Sequence, residues 1–135
     1  MKEITLSATI ENVEKVTDFV NVELERINCP AKAKAEIDIA IDELFSNIAN
    51  YAYNPEVGDT TVKVEIQDKP QAVVLTFMDK GVPYNPLLKE DPNTKLPIKD
   101  RIVGGLGIFM VKKSMDSIEY EYKEGHNILK IKKNI

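Results

Sequence analysis

The apolar and polar positions of this chain change period several times, and each change marks an element. Ile4, Leu6, Ala8 and Ile10 alternate with polar residues, the mark of a half-buried strand. Val13, Val16, Val20, Leu24 and Ile27 then recur at helical spacing, so residues Asn12 to Ile27 read as an amphipathic helix with Asn12 as its N-cap. Asn28-Cys29-Pro30 interrupts the pattern, and Pro30 suits the first turn of a new helix. That second helix runs from Ala31 to Tyr53 and is rich in strong helix formers. Along it Ile37, Ala40, Ile41, Leu44 and Ile48 form an apolar stripe. Beside the stripe, Glu43, Asn47 and Asn50 stand at i, i+4 and i+7, on one face.

Asn54-Pro55 and Val57-Gly58-Asp59 form a loop, after which the period falls to two. Val62, Val64 and Ile66 alternate with Lys63 and Glu65. After a turn at Asp68 to Gln71, Ala72 to Met78 is apolar on both faces, which predicts a central strand. Val82 to Val103 carries Pro83, Pro86, Pro92 and Pro97 among charges, and no long regular element is predicted there. A connection of that length inside a compact domain is often a functional lid. Gly104, Gly105 and Gly107 precede a helix predicted at Ile108 to Met115. Ile118, Tyr120 and Tyr122, then Leu129 and Ile131, form a hairpin that turns at Glu124 to Asn127. This order predicts an α+β fold in which a sheet is covered on one face by helices.

Composition narrows the picture. At 135 residues the chain reads as one domain, 1–135. Its net charge of −4 and the lack of a basic run beyond Ile131-Lys132-Lys133-Asn134 give no electrostatic support for a nucleic-acid or anionic-membrane partner. Cys29 is the sole cysteine, which rules out an intrachain disulfide and a Cys/His zinc pattern. The amino-terminal alternation is unlike a signal peptide, and no apolar run is long enough to span a bilayer. A soluble cytoplasmic protein is the expectation.

Four places could carry chemistry. The glycines at 104, 105 and 107 allow close approach of backbone to a ligand at a helix start, which is a phosphate cradle or, more blandly, a hinge. No Gly-Lys-Ser/Thr follows, so this is not a Walker A loop. Asp79, at the end of the buried strand before Gly81, could accept a hydrogen bond from an exocyclic amine, or merely shape a turn. Glu43 could serve as a general base. Asn47 could offer its side-chain oxygen to Mg²⁺.

The order and spacing of these pieces resemble the ATPase superfamily that joins gyrase, histidine kinases, a heat-shock chaperone and a mismatch-repair protein, with the Bergerat fold. Within it, the chain looks most like the small anti-sigma factor serine/threonine kinases. The resemblance rests on Glu43-Leu44-Phe45-Ser46-Asn47, on Asp79-Lys80-Gly81-Val82-Pro83-Tyr84-Asn85-Pro86, and on Gly104 to Lys113 before a terminal hairpin. It implies a two-layer α/β sandwich with a mixed sheet and an ATP site. By that resemblance Glu43 is the catalytic base and Asn47 the Mg²⁺ ligand. Asp79 contacts the adenine amino group, with Gly81 beside it. Gly104, Gly105, Leu106 and Gly107 form the lid hinge near the phosphates, and residues from roughly Leu87 to Val103 form the lid. Where many of these kinases have a basic residue directly before the hinge, this chain has Val103, and Arg101 is the nearest cation. Pro83 replaces a second glycine. A threonine often begins the family's last strand after the hairpin glycine, whereas His126 and Asn127 follow Gly125 here.

The implied activity is phosphorylation of an anti-anti-sigma protein with a sulfate-transporter-type (STAS) domain, using ATP and Mg²⁺, together with sequestration of a sigma factor. A homodimer is compatible with this. The alternative is a non-catalytic ATP-binding module that acts by sequestration alone.

Overall fold

The computed structural model describes residues 1–53, 56–88 and 105–135. Among these residues five strands and three α-helices carry the fold. They follow the order β1 (Lys2–Ser7), α1 (Val13–Arg26), α2 (Ala31–Asn47), β2 (Asp59–Gln67), β3 (Ala72–Asp79), α3 (Gly105–Ser114), β4 (Ser117–Lys123) and β5 (His126–Asn134). The strands form one sheet in the order β1-β2-β3-β5-β4. The stretch Ala72–Met78 is therefore the central strand, as its two apolar faces predict.

Every neighbouring pair in this sheet is antiparallel, where a mixed sheet is expected from the resemblance. The connections explain the difference. β1 ends beside the start of β2, with Ser7 opposite Asp59, so the pair α1–α2 carries the chain away from that end and back again. An even number of helices returns the next strand in the opposite direction. Among the described residues α3 is the α-helix between β3 and β4, and these two strands do run the same way. β5 then turns back and inserts between them, so no parallel pair is made.

The helices cover one face. Val16, Val20 and Leu24 of α1, Ile37, Ala40, Ile41, Leu44 and Phe45 of α2, and Ile108 and Val111 of α3 form a single cluster with the sheet. From the sheet come Val62, Val64, Val73, Leu75, Phe77, Leu129 and Ile131, all on the helix side. α2 lies in the middle, packed on both α1 and α3.

Local chemistry sets the boundaries. α1 ends in a Schellman cap: Asn28 takes φ 52°, Cys29 N donates to Leu24 O at 3.0 Å, and Asn28 N donates to Glu25 O at 3.1 Å. Asn12 is not the side-chain N-cap predicted for α1. A 3₁₀ turn at Ile10–Asn12 has already begun winding the chain, and Asn12 Nδ2 donates to Ser7 O at 2.7 Å instead. Ile10 lies on that turn, half exposed, and the first strand ends at Ser7. Pro30 immediately precedes α2 rather than sitting within its first turn. The predicted continuous helix to Tyr53 changes character at Ile48–Ala52, a π turn. α3 begins at Gly105, three residues before the predicted start, because first-turn N–H groups have no intrahelical acceptor to lose and tolerate glycine there. Glu124 and Gly125 both take positive φ (53° and 78°), and Lys123 pairs with His126. The hairpin turn is thus two residues long, and His126 and Asn127 belong to β5. No helix among the described residues is long and apolar enough to cross a membrane.

Edge strand β1 is tied to α1 by charge. Lys2 Nζ pairs with Glu23 Oε1 and Arg26 Nη1 with Glu23 Oε2, each at 2.9 Å. The Lys2 hydrogen bond, assisted by the Arg26 charge, holds the Glu23 carboxyl below its ordinary value despite burial, which acts the other way.

Two measurements check this account. Ile41→Ala, which empties a fully buried position under α2, should cost about 2–5 kcal/mol in urea unfolding at unchanged slope. A lowered folded-state pKa contributes stability that is present above the unfolded-state value and disappears as pH falls through the folded one. The stability difference between the native chain and Glu23→Gln should therefore be full at neutral pH and vanish on acidification below the carboxylate range, as followed by denaturant melts across pH.

Candidate functional site

Of the predicted site residues, Asp79, its neighbour Gly81 and Asn47 lie at the end of the sheet where β3 finishes and β5 begins. Asp79 closes β3 and is buried, paired in register with Thr60 of β2 on one side and Asn127 of β5 on the other. Its side chain points to the helix layer, in the same row as Val73, Leu75 and Phe77. Oδ1 accepts two hydrogen bonds at 2.9 Å, from Gly81 N and from Asn127 Nδ2. Oδ2 makes none with the described residues.

A cleft opens beside this carboxylate. Leu44, Asn47, Ile48 and Ala52 line it from α2 and its π turn, and Phe77 and Asp79 from β3. Tyr84 and Pro86 close it from the following loop, with Tyr120, Asn127 and Leu129 from the hairpin. The walls are mostly apolar and a few polar groups converge, which suits a flat heteroaromatic ligand held by directed hydrogen bonds. Tyr84 is further supported by Tyr51, their ring centroids 5.9 Å apart.

The end of α2 shapes the cleft's rim. Val82 N donates to Ala52 O at 3.0 Å, which satisfies a carbonyl the helix end leaves without an intrahelical donor. Gly81 packs directly on that carbonyl, and a Cβ at 81 would land on Ala52 O. The glycine next to Asp79 thus has a packing reason. Tyr53 braces the outside of the same turn: its hydroxyl donates to Asp59 O and accepts from Lys80 N, both at 2.7 Å. Burial pushes the Tyr53 hydroxyl pKa up, and the charges of Asp79 and Asp59 act in the same sense against the Lys80 N–H. Burial likewise raises Tyr120. Both phenols stay protonated donors at neutral pH.

Asn47 reaches the cleft with a buried Nδ2 that has no hydrogen-bond partner among the described residues. An orphaned buried amide atom is costly unless a ligand satisfies it. The two ends of an amide exchange by a half-rotation, so the same side chain can turn its oxygen toward a hard cation. Asn47 thus fits a role in holding Mg²⁺ beside ligand oxygens, the usual arrangement for a cation that keeps several waters. Asn50 does not join it. It lies within the π turn that follows Asn47 and is exposed.

Glu43, one turn before Asn47, meets α3 rather than the cleft. A Cβ on Gly107 would land on the Glu43 carboxylate, so the glycine makes room for that group. The carboxylate lies against the first turn of α3, where unpaired N–H groups concentrate positive potential. Gly105 and Leu106 lie in that same turn, described here by backbone alone. Arg101, Gly104 and the lid beyond Leu88 fall outside the described residues. The outcome is a mostly apolar cleft that holds Asp79 and Asn47, and, one turn back along α2, Glu43 against the first turn of α3.

Residues 6–133 match the histidine kinase-like ATPase domain. The chain belongs to that family. As a histidine kinase-like ATPase domain it is similar to Serine-protein kinase RsbW of Bacillus mycoides (strain KBAB4), 28% identical over 101 residues, which covers 72% of this chain and 62% of the relative. It is similar also to Serine/threonine-protein kinase BtrW of Bordetella bronchiseptica (strain ATCC BAA-588 / NCTC 13252 / RB50), 23% identical over 99 residues, covering 73% of this chain and 69% of the relative. The chain spans less than two thirds of the length of the Bacillus relative.

Sequence reasoning missed Asn127, the most heavily hydrogen-bonded side chain of this histidine kinase-like domain's cleft. The signal was the two-residue Glu124-Gly125 turn, which puts position 127 in the ladder opposite Asp79. Gly107→Ala should leave the fold intact, since alanine is a better helix former by about 1 kcal/mol and the obstructing atoms end a flexible side chain. It should nonetheless displace Glu43. A melting temperature within a few degrees of native, about 1 kcal/mol for a domain of this size, with a shifted Glu43 carboxyl resonance is the expected pair of results; an unmoved resonance contradicts the packing described.

Proposed function

We propose that this chain is an ATP-dependent serine/threonine protein kinase of the anti-sigma type, which phosphorylates an anti-anti-sigma protein of the STAS type and sequesters a sigma factor. The observation that carries the reading is the cleft that brings Asn47 and Asp79 together, with Glu43 one helical turn before Asn47 and against the first turn of α3. The mostly apolar cleft at Asp79 suits an adenine ring, and the helix start suits phosphates. The names of the relatives, serine-protein and serine/threonine-protein kinases, agree with this chemistry.

In this reading each residue has a separate task. Asp79 Oδ2 accepts from the exocyclic amine of adenine, while Phe77, Leu44 and Ile48 enclose the ring. Backbone N–H groups at Gly105, Leu106 and Gly107 attract the phosphates, with Gly104 and Arg101 as further candidates in the sequence. Asn47 holds Mg²⁺, which supplies charge neutralisation to a transfer that depends mainly on positioning. Glu43 orients the acceptor hydroxyl and takes its proton. Binding of phosphates at the α3 start would compete with the contact Glu43 makes there, releasing the base when nucleotide is bound. The proposed location is the cytoplasm, where a sigma factor would be met.

The test is transfer of labelled γ-phosphate from Mg-ATP to candidate partners encoded by neighbouring genes. Glu43→Ala should lower transfer about 10²–10⁴-fold, the usual range for a general base, with ATP still bound. Asp79→Asn should weaken ATP binding about 10-fold or more, the worth of a hydrogen bond to a charged group. Transfer that survives Glu43→Ala removes the base assignment. ATP binding with sigma-factor capture and no transfer to any partner would favour the sequestration-only alternative.

A further inference from the structure

We propose that Asn127 is the positioning residue that makes the cleft selective for a purine bearing an exocyclic amine, because, with Gly81 N, it holds one oxygen of the Asp79 carboxylate and so fixes the direction in which the other is presented. This rests on the assignment of Asp79 to the base and adds a residue that the motifs do not contain.

A carboxamide has two N–H donors and an oxygen with two lone pairs. In Asn127 all of these are engaged. Nδ2 donates to Asp79 Oδ1 and to Val82 O, both at 2.9 Å, with Gly81 O at 3.4 Å. Oδ1 accepts from Tyr84 N at 3.1 Å and from the Tyr120 hydroxyl. A flipped amide would face the Asp79 and Val82 oxygens with a third acceptor and the Tyr84 and Tyr120 donors with an NH₂. The network therefore allows one orientation only, and that orientation saturates Asp79 Oδ1. Oδ2 is left as the acceptor for the base. The carboxylate cannot rotate without breaking both the Gly81 and the Asn127 hydrogen bonds.

The same amide holds the wall opposite α2. Through Val82 O and Tyr84 N it fixes the segment that follows Asp79, and Tyr84 lines the cleft. A single hydroxyl at this position has one donor and could not serve Asp79 and Val82 together. Asn127 thus couples the orientation of the recognising carboxylate to the position of the wall that presses the ring.

The experiment measures affinity by calorimetry for two probes, ATP and purine riboside 5′-triphosphate, which carries hydrogen in place of the 6-amino group. The native chain should prefer ATP about 10-fold or more, the worth of a hydrogen bond to a charged acceptor. Asn127→Ala should reduce that preference to about the level of Asp79→Asn, and the double variant should lose little more, as expected of two residues acting as one unit. Should Asn127→Ala fail to fold, Asn127→Asp at pH 8 keeps the shape and replaces the donor with an acceptor, and the preference should collapse in the same way. Equal weakening of both probes, with the preference intact, reduces Asn127 to a scaffold residue and overturns the proposal while leaving the assignment of Asp79 standing. A native chain with no preference between the probes overturns that assignment itself, and this proposal with it.

Discussion

The packing of α2 against the middle of the sheet is the constraint on which the other features depend. Six of its residues are buried, and Ile37, Ile41 and Leu44 are almost wholly removed from water. Once that stripe is seated on β2 and β3, the rotation of the helix is set. The positions flanking the stripe then have no freedom about where they point. Asn47 must meet the end of the sheet and Glu43 must meet α3. The positions of Asn47 and Glu43 are a by-product of core burial, because the close-packed stripe on α2 leaves the helix one rotation.

The sheet contributes its end rather than its face. Val62 and Val64 of β2, Phe77 and Leu75 of β3 and Leu129 and Ile131 of β5 supply the apolar rungs, and at the next rung the row changes to Thr60, Asp79 and Asn127. These three are buried polar residues at the edge of the hydrophobic cluster. A buried carboxylate is tolerated because hydrogen bonds satisfy it, and the bonds that satisfy it also aim it. Recognition and stability are therefore served by the same contacts at Asp79, whereas at Glu43 they are separable, since its carboxylate ends a flexible side chain.

Much of this was legible in the sequence because burial leaves a period. The alternation at Val62 to Ile66, the two-faced apolar run from Ala72 and the stripe on α2 each follow directly from which side is covered. Glu43 and Asn47 were found because i, i+4 spacing survives in any regular helix. Features that depend on a departure from regularity were not legible. The π turn at Ile48–Ala52 has no compositional mark, so Asn50 was counted on the wrong face. The direction of β4 beside β5 depends on a connection through α3, and hydropathy carries no sign for direction. Asn127 was read as part of a turn because Gly125-His126-Asn127 is rich in turn formers; only the positive φ of both Glu124 and Gly125 shortens the turn and moves Asn127 into the ladder.

The insertion of β5 between β3 and β4 has a consequence for the order in which the protein is made. Asp79 and Asn127 are 48 positions apart in the chain, yet they close one hydrogen-bonded rung. During synthesis the helices and the β1-β2-β3 portion emerge first, and β3 waits with an open edge until the hairpin arrives. The cleft has no second wall before that moment, and Asp79 lacks the partner that aims it. Ligand competence thus waits on the docking of β5, and a chain that has not yet made it presents a long unpaired β edge in place of a binding site.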